Sequence, residues 1–255
     1  MLSRQQIKFI KSLHLKKIRR ELQLFVAEGS KLVEELISGR LETHSVFAVD
    51  AWLHKNRSVI ASRNIKTFAV TETELEQIST QRSANQAIGV FHIPAFQFNH
   101  EILNEEIVLM LDNINDPGNL GTILRTADWF GIKHVICSKN TVDIYNLKTV
   151  QATMGSIARI NTYYLDLQDI LSNTKTPVYG ALLNGKPLTE INPSKNGVII
   201  IGNEAHGISP VLQQFITHPL FIPSFIAEGA GMQRPESLNA AMATAILCWE
   251  FRKNG

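Results

Sequence analysis

The chain has 255 residues, 44% of them hydrophobic and 19% charged, which is ordinary for a globular protein with one large or two small domains. Its two cysteines, Cys137 and Cys248, lie far apart in apolar surroundings, so neither a disulfide framework nor a Cys/His metal cluster is indicated. With neither a secretory signal nor a membrane-spanning run expected, the sequence predicts a cytoplasmic protein without a bound metal.

The net charge of +2 is distributed unevenly along the chain. Residues 1–100 carry 14 Lys and Arg against 9 Asp and Glu, whereas the remaining residues carry 11 against 14. Residues 1–20 hold seven basic and no acidic residues, among them Lys16, Lys17, Arg19 and Arg20. This basic end favours a polyanionic partner, although a solvated basic helix explains the charge equally well.

Helices and strands alternate through the first hundred residues. Apolar periodicity predicts helices over 3–13, 30–38, a short stretch from 51, and 72–78. Strands are predicted over 45–49, 66–70 and 87–93. The polar stretch 94–106 breaks this pattern. We therefore expect a small α/β domain over 1–95, a linker over 96–103 and a second domain over 104–255.

The second domain begins with the apolar run 107–111, which is typical of a strand buried on both faces. Further strands are predicted over 134–137, 160–164, 178–183, 198–201 and 220–222. Helices are predicted from Asn119 to Gly131 and over 147–154, 167–171, 210–216 and 237–251. Because strands alternate with helices, we expect an α/β fold with a largely parallel sheet.

Three polar or glycine-rich turns stand at strand ends or begin an apolar helix. They are DNINDPGNLG at 112–121, which runs on to Arg125, then GNEAHG at 202–207 and SLN at 237–239. The carboxyl edge of a parallel sheet is where ligands bind, so the turns predict one site. The first turn would offer free backbone N–H groups to an anion, and Gly202 would admit a ligand close to the backbone.

Taken singly, each polar residue in these turns has a simpler explanation. An Arg on the second turn of a helix is usually solvated or ion-paired, and a Glu after a strand, such as Glu204, is usually a cap or a solvated group. Ser237 is a good helix N-cap. His206 has the chemistry of a general base.

The order and content of the turns resemble the three signature motifs of the SpoU (TrmH-type) RNA ribose 2′-O-methyltransferases. The pattern NxGxxxR from Asn119 and the pattern GxExxGIS from Gly202 match this family. His206 falls at a variable position of the second motif, which makes it incidental. The third motif departs from the family, because Ser224 stands where Met is usual and the turn 226–236 is longer.

The resemblance implies a SPOUT-class α/β knot that forms a homodimer. The segment FVAEG at 25–29 is similar to the start of the small α/β RNA-binding domain, related to a ribosomal-protein fold, that precedes many SpoU domains. The implied reaction transfers the methyl group of S-adenosylmethionine to a ribose 2′-hydroxyl of structured RNA, either ribosomal or transfer RNA.

The resemblance also implies the role of each site residue. Arg125 would be catalytic, and four residues would arrange it and the RNA: Asn119, Glu204, Ser237 and Asn239. The cofactor would be held by backbone groups at four positions: Leu183, Gly202, Ile222 and Leu238. We expect the RNA backbone to dock on Lys16, Lys17, Arg19 and Arg20.

Two other kinds of function remain open from the sequence. A non-enzymatic RNA-binding relative would have lost Arg125, Glu204 or Asn239. A nucleotide enzyme on a doubly wound sheet would lack the basic N-terminal domain and would show Gly-x-Gly-x-x-Gly after its first strand. The chain shows neither signature.

Overall fold

The computed structural model describes residues 2–81, 86–225 and 237–253, and it divides into two units. The N-terminal unit comprises residues up to Ala95 together with Asp143–Arg159, and the C-terminal unit comprises Phe96–Val142 and the chain from Ile160 onward. The predicted domain boundaries place 143–159 in the second domain, whereas in the structure this segment packs with the first.

The strands are β1 (Leu24–Glu28), β2 (Thr43–Ala48), β3 (Thr67–Ala69), β4 (Ala87–His92), β5 (Ile107–Leu111), β6 (His134–Ser138), β7 (Asn161–Leu165), β8 (Val178–Pro187), β9 (Gly197–Ile201) and β10 (His218–Phe221). The helices are α1 (Arg4–Ser12), α2 (Lys16–Leu22), α3 (Ser30–Ser38), α4 (Asp50–Lys55), α5 (Arg57–Ser62), α6 (Glu72–Ile78), α7 (Ile102–Glu105), α8 (Pro117–Trp129), α9 (Leu147–Thr153), α10 (Leu167–Ser172), α11 (Pro210–Gln213) and α12 (Ala240–Arg252). Across the described ranges, no helix combines the length and the apolar character needed to cross a membrane.

The sheet of the C-terminal unit has the strand order β10-β8-β9-β5-β6-β7, and every neighbouring pair is parallel. All residues of β5 and β9 are buried, which explains their uninterrupted apolar sequences. The predicted α/β class with a largely parallel sheet is confirmed. From β5 the chain adds β6 and β7 on one side of the sheet, and then β8, β9 and β10 on the other. The boundary between β5 and β9 is therefore a topological switch point, where open parallel sheets bind ligands.

The sheet of the N-terminal unit is smaller and mixed, with the order β1-β4-β2-β3. Helix α3 covers it with the predicted apolar stripe, from Leu32 to Ile37, and all four members of that stripe are buried. Glu28, in the FVAEG segment, is only 2% exposed. Its carboxylate accepts hydrogen bonds from Ser79 Oγ at 2.7 Å and from the backbone N–H of Thr80 at 3.1 Å. This buried carboxylate therefore fixes the loop after α6 to β1.

Several short elements differ from the sequence prediction, which did not include β1, α2, α5 or α7. Helix α2 was not predicted, because its basic residues leave too few apolar positions to define a period. The predicted linker over 96–103 is part of the C-terminal unit. Phe98 packs edge-on against Tyr163 with ring centroids 5.3 Å apart, and Leu103 is buried. Aromatic side chains thus anchor a segment whose polar residues resemble a linker.

Candidate active site

The loops that follow β5 and β9 meet at the carboxyl edge of the C-terminal sheet. Leu111 and Ile201, the last residues of these strands, are paired across the ladder. The backbone N–H of Asp112 extends the ladder by donating to the carbonyl of Ile201 over 2.9 Å. The first two sequence motifs are therefore neighbours in space.

A buried carboxylate joins these two loops. Asp112 is 3% exposed, and its Oδ2 accepts a hydrogen bond from the backbone N–H of Ser209 at 2.7 Å. Its Oδ1 accepts from Asn113 Nδ2 at 3.0 Å. Asn113 has a φ of 56°, a left-handed conformation that asparagine tolerates better than most residues. Asp112 has no predicted role, although an acid directly after an apolar strand is a signal that the sequence offers.

The second loop is a tight turn closed on itself. Asn203 and Gly207 exchange two backbone hydrogen bonds of 2.9 Å, and Gly207 has a φ of +66°. The Asn203 side chain accepts from the N–H of Ala205 at 2.9 Å and donates to the carbonyl of Asn113 at 2.8 Å. A Cβ at Gly202 would lie 2.3 Å from the backbone of Gly207. The turn itself therefore requires glycine at 202, where we had expected a ligand to approach.

Three of the predicted site residues form one hydrogen-bonded chain. Asn239 Nδ2 donates to Asn119 Oδ1 over 2.9 Å, and Asn119 Nδ2 donates to Glu204 Oε1 over 2.5 Å. Each carboxamide accepts a hydrogen bond through its oxygen and donates one through its nitrogen. All donors of this hydrogen-bonded chain therefore point toward Glu204. The three sequence motifs thus converge on a single carboxylate.

The N-termini of α8 and α12 hold this chain in place. Asp116 caps α8 by accepting from the backbone N–H of Asn119 at 2.7 Å. The N–H groups expected to be free for an anion are therefore partly used by the protein itself. Asn239 caps α12 by accepting from the N–H groups of Ala241 and Met242 at 2.9 and 3.4 Å. The prediction that Ser237 caps this helix is wrong, because the helix begins at Ala240.

The structure does not bring Arg125 or Ser237 into the hydrogen-bonded chain. Both residues are exposed. Arg125 lies six residues beyond Asn119 on α8, about 9 Å farther along the helix axis. Among the described residues its guanidinium has no hydrogen-bond or ion-pair partner, so it is free to meet a ligand.

Three of the four predicted cofactor positions lie in or directly after three adjacent parallel strands. Gly202 directly follows β9, Ile222 directly follows β10, and Leu183 lies within β8, which runs between those two strands. Leu238 stands just before α12 and is 49% exposed. In the part of the chain that is described, no group of His, Cys, Asp and Glu side chains could hold a metal ion.

The basic helix of the N-terminal unit contains one exception to its predicted role. Lys16, Lys17 and Arg20 are exposed, whereas Arg19 is 3% exposed. The Arg19 guanidinium donates to the carbonyl of Leu13 at 2.9 Å and pairs with Asp143 at 2.7 Å. Arg19 therefore stabilises the fold of this unit and is unavailable to a phosphate, contrary to expectation.

Two known sequence families match this chain, one in each of its predicted domains. The sequence model of the SpoU rRNA methylase family matches residues 106–249, and that of the MRM3-like substrate binding domain matches residues 4–89. The chain is also similar over nearly its whole length to the 23S rRNA (guanosine(2553)-2′-O)-methyltransferase RlmP of Bacillus subtilis. The two are 32% identical, and the match covers 97% of this chain and 96% of RlmP.

Solved structures resemble the full chain as well. A TrmH-family protein from Porphyromonas gingivalis is 39% identical with a TM-score of 0.87, and each chain covers 100% of the other. An AdoMet-bound rRNA methyltransferase from Sinorhizobium meliloti is 29% identical with a TM-score of 0.86. That match covers 100% of this chain and 96% of the other.

Proposed function

Because the chain belongs to the SpoU rRNA methylase family, we propose that it transfers the methyl group of S-adenosylmethionine to a ribose 2′-hydroxyl of structured RNA. The observation that carries this proposal is the hydrogen-bonded chain from Asn239 through Asn119 to Glu204. All three motifs of the family contribute one member to it. RlmP, similar to this chain over nearly its whole length, is a methyltransferase of 23S rRNA, which favours ribosomal RNA over transfer RNA as the substrate.

The cofactor groove is proposed at the carboxyl ends of β9 and β10 and beside the middle of β8, with backbone groups near Leu183, Gly202, Ile222 and Leu238 as its anchors. The adjacency of these three strands supports this assignment. The closed turn at 202–207 would present a rigid wall to the groove. When bound, the sulfonium supplies an electrophilic methyl group, so the residues of the protein need mainly to orient and activate the hydroxyl.

Arg125 is proposed as the catalytic residue. A guanidinium keeps its proton at any physiological pH, so Arg125 cannot act as a simple general base. We assign it to hold the target phosphate and to stabilise the charge that develops on the 2′-oxygen, while the proton leaves through a relay or through water. Asn119, Glu204, Ser237 and Asn239 would position the RNA and this guanidinium.

RNA docking is assigned to the N-terminal domain over 1–95, and catalysis to the domain over 104–255. The match of residues 4–89 to a substrate binding domain supports this division. Lys16, Lys17 and Arg20 form what we call the α2 basic face, and Lys8 and Lys11 on α1 are also exposed. Contacts of these cations with phosphates would position RNA without reading its sequence.

We also propose a cytoplasmic homodimer with a knotted C-terminal domain. Family membership supports the knot, and residues 226–236, which belong to the longer turn of the third motif, lie outside the described residues. An exposed apolar row at α12 supports self-association: Met242, Ile246 and Trp249 lie on the helix, and Leu238 stands just before it. Trp129 of the adjoining α8 is 85% exposed, so a second copy would remove a large apolar surface from water. Sedimentation equilibrium tests for the dimer.

The test of the proposed activity combines calorimetry with methyl transfer to unmodified ribosomal RNA. We expect the protein to bind S-adenosylmethionine and its demethylated product. Arg125→Ala should lower the transfer rate by roughly 10²–10³-fold and leave cofactor affinity within a few-fold. Arg125→Lys should recover part of the rate, because the charge remains and the two-pronged geometry is lost. A folded protein that binds neither compound would exclude the enzyme, and an Arg125→Ala variant above a tenth of wild-type activity would exclude this role for Arg125.

A further inference from the structure

A cleft of about 320 Å³ opens at the carboxyl ends of β5, β6 and β9 in the C-terminal unit. It is lined by residues of the loop between β5 and α8, by residues of the loop after β9 that carries Glu204, and by Asn140 from the loop after β6. Its size is at the lower end of the range for small-ligand clefts in proteins. None of the roles assigned above uses this cleft.

Hydrogen bonds within the protein hold the inner walls of the cleft rigid. Asp112 is committed to Asn113 and Ser209, and Asn203 uses both ends of its carboxamide within the two loops. These side chains therefore have little remaining capacity for a ligand, and they fix the shape of the site in advance.

Three other lining side chains are free to bind. Asn115, Asn140 and His206 are exposed, and no hydrogen bond or ion pair of their side chains is found within the described ranges. Each carboxamide offers a donor and an acceptor in one plane, and the imidazole offers a third polar edge. Together they form an unused set of directional hydrogen-bonding groups around one small cavity.

The charge of the cleft identifies the class of ligand. No Lys or Arg lines it, and its one carboxylate is buried in the wall. A phosphate would require a cation or free helix N–H groups, so the cleft is unsuited to the RNA backbone. A neutral, flat ligand with donors and acceptors on its edge fits these groups, and a nucleobase has that chemistry.

We propose that this cleft receives an unstacked base of the RNA substrate and that Asn115, Asn140 and His206 read its edge. The inference rests on the proposed function and deepens it. RNA is read in sequence mainly through unstacked bases whose edges are hydrogen-bonded by side chains. In this division of labour, the α2 basic face and Arg125 bind phosphates, and the cleft selects the nucleotide.

The experiment measures binding of the four ribonucleoside 5′-monophosphates by NMR, with ribose 5-phosphate as the abasic control. The protein is saturated with S-adenosylhomocysteine so that adenosine compounds do not enter the cofactor groove. We expect at least one monophosphate to shift the side-chain signals of Asn115, Asn140 and His206 and to bind at least tenfold more tightly than ribose 5-phosphate. Asn140→Ala should weaken that monophosphate by roughly 3- to 10-fold, the value of one hydrogen bond.

The matched control is Asn104→Ala, which removes an exposed carboxamide elsewhere in the same unit and should leave all affinities unchanged. Equal binding of ribose 5-phosphate and of all four monophosphates would overturn the inference, as would shifts confined to other residues. If the protein binds a base in the cleft but transfers no methyl group to RNA, the proposed function is refuted and this inference is not. If the protein transfers methyl groups but binds no base in the cleft, this inference is refuted and the proposed function is not.

Discussion

Replacing Asn239 with Asp separates two tasks that one carboxamide performs. Its Oδ1 caps α12 by accepting from two backbone N–H groups, and its Nδ2 donates to Asn119. Asp and Asn are about equally good N-caps, and an anion at a helix N-terminus is favoured by the helix dipole. Asn239→Asp therefore keeps the cap and removes only the donor that faces Asn119.

The loss of this donor should be felt at Glu204. If the Asn119 carboxamide keeps its orientation, its Oδ1 faces the new carboxylate at position 239. If the carboxamide reverses, the same oxygen faces Glu204. Either arrangement loses a hydrogen bond next to an anion, worth about 1.5–3 kcal/mol. If the oriented chain acts in the transition state, kcat/KM should fall roughly 10- to 150-fold. The free energy of unfolding should fall by no more than the free energy of this lost hydrogen bond, since the cap is kept.

The measurements are urea unfolding and methyl transfer to unmodified ribosomal RNA. Asn239→Ala serves as the reference that loses both tasks, and the loss of the cap should cost it about 1 kcal/mol of stability in addition to the lost bond to Asn119. The matched control is Asn146→Asp, because Asn146 caps α9 through the N–H of Lys148 at 2.9 Å. This control should retain both stability and activity. Wild-type activity in Asn239→Asp would refute the idea that the chain orients Glu204.

Two further predictions concern the basic helix and the cysteines. The triple variant Lys16→Gln, Lys17→Gln and Arg20→Gln should flatten the dependence of log K for RNA on log salt by roughly two units, since each neutralised phosphate of a single strand contributes about 0.7. The control removes three scattered exposed lysines: Lys31, Lys175 and Lys195. An unchanged slope in the first variant would place RNA docking elsewhere. Burial raises the pKa of Cys248 to about 12 and also raises the pKa of Cys137. Both thiols should therefore resist a thiol reagent at pH 8 and react only after denaturation. Rapid labelling of the native protein would contradict their burial.

The sequence predicted those features that depend on neighbours along the chain. The apolar runs of β5 and β9 indicate buried parallel strands because no other element accommodates five consecutive buried apolar residues so well. The convergence of the three motifs followed from the rule that parallel strands place their carboxyl ends together. Asn119, Glu204 and Asn239 were accordingly expected at one site, and they meet there within hydrogen-bonding distance.

Features that depend on distant partners could not be predicted in this way. Arg19 looks like its basic neighbours in the sequence, and only its partner Asp143, 124 positions away, makes it a buried structural residue. Ser237 and Asn239 are both acceptable N-caps by residue type. In the structure Asn239 is the cap, and its Nδ2 also donates to Asn119 on another helix. A serine hydroxyl two residues upstream, at 237, could not make both interactions. The start of α12 is thus coupled to the geometry of the site, and the same residue that begins the helix fixes the direction of the hydrogen bonds that end at Glu204.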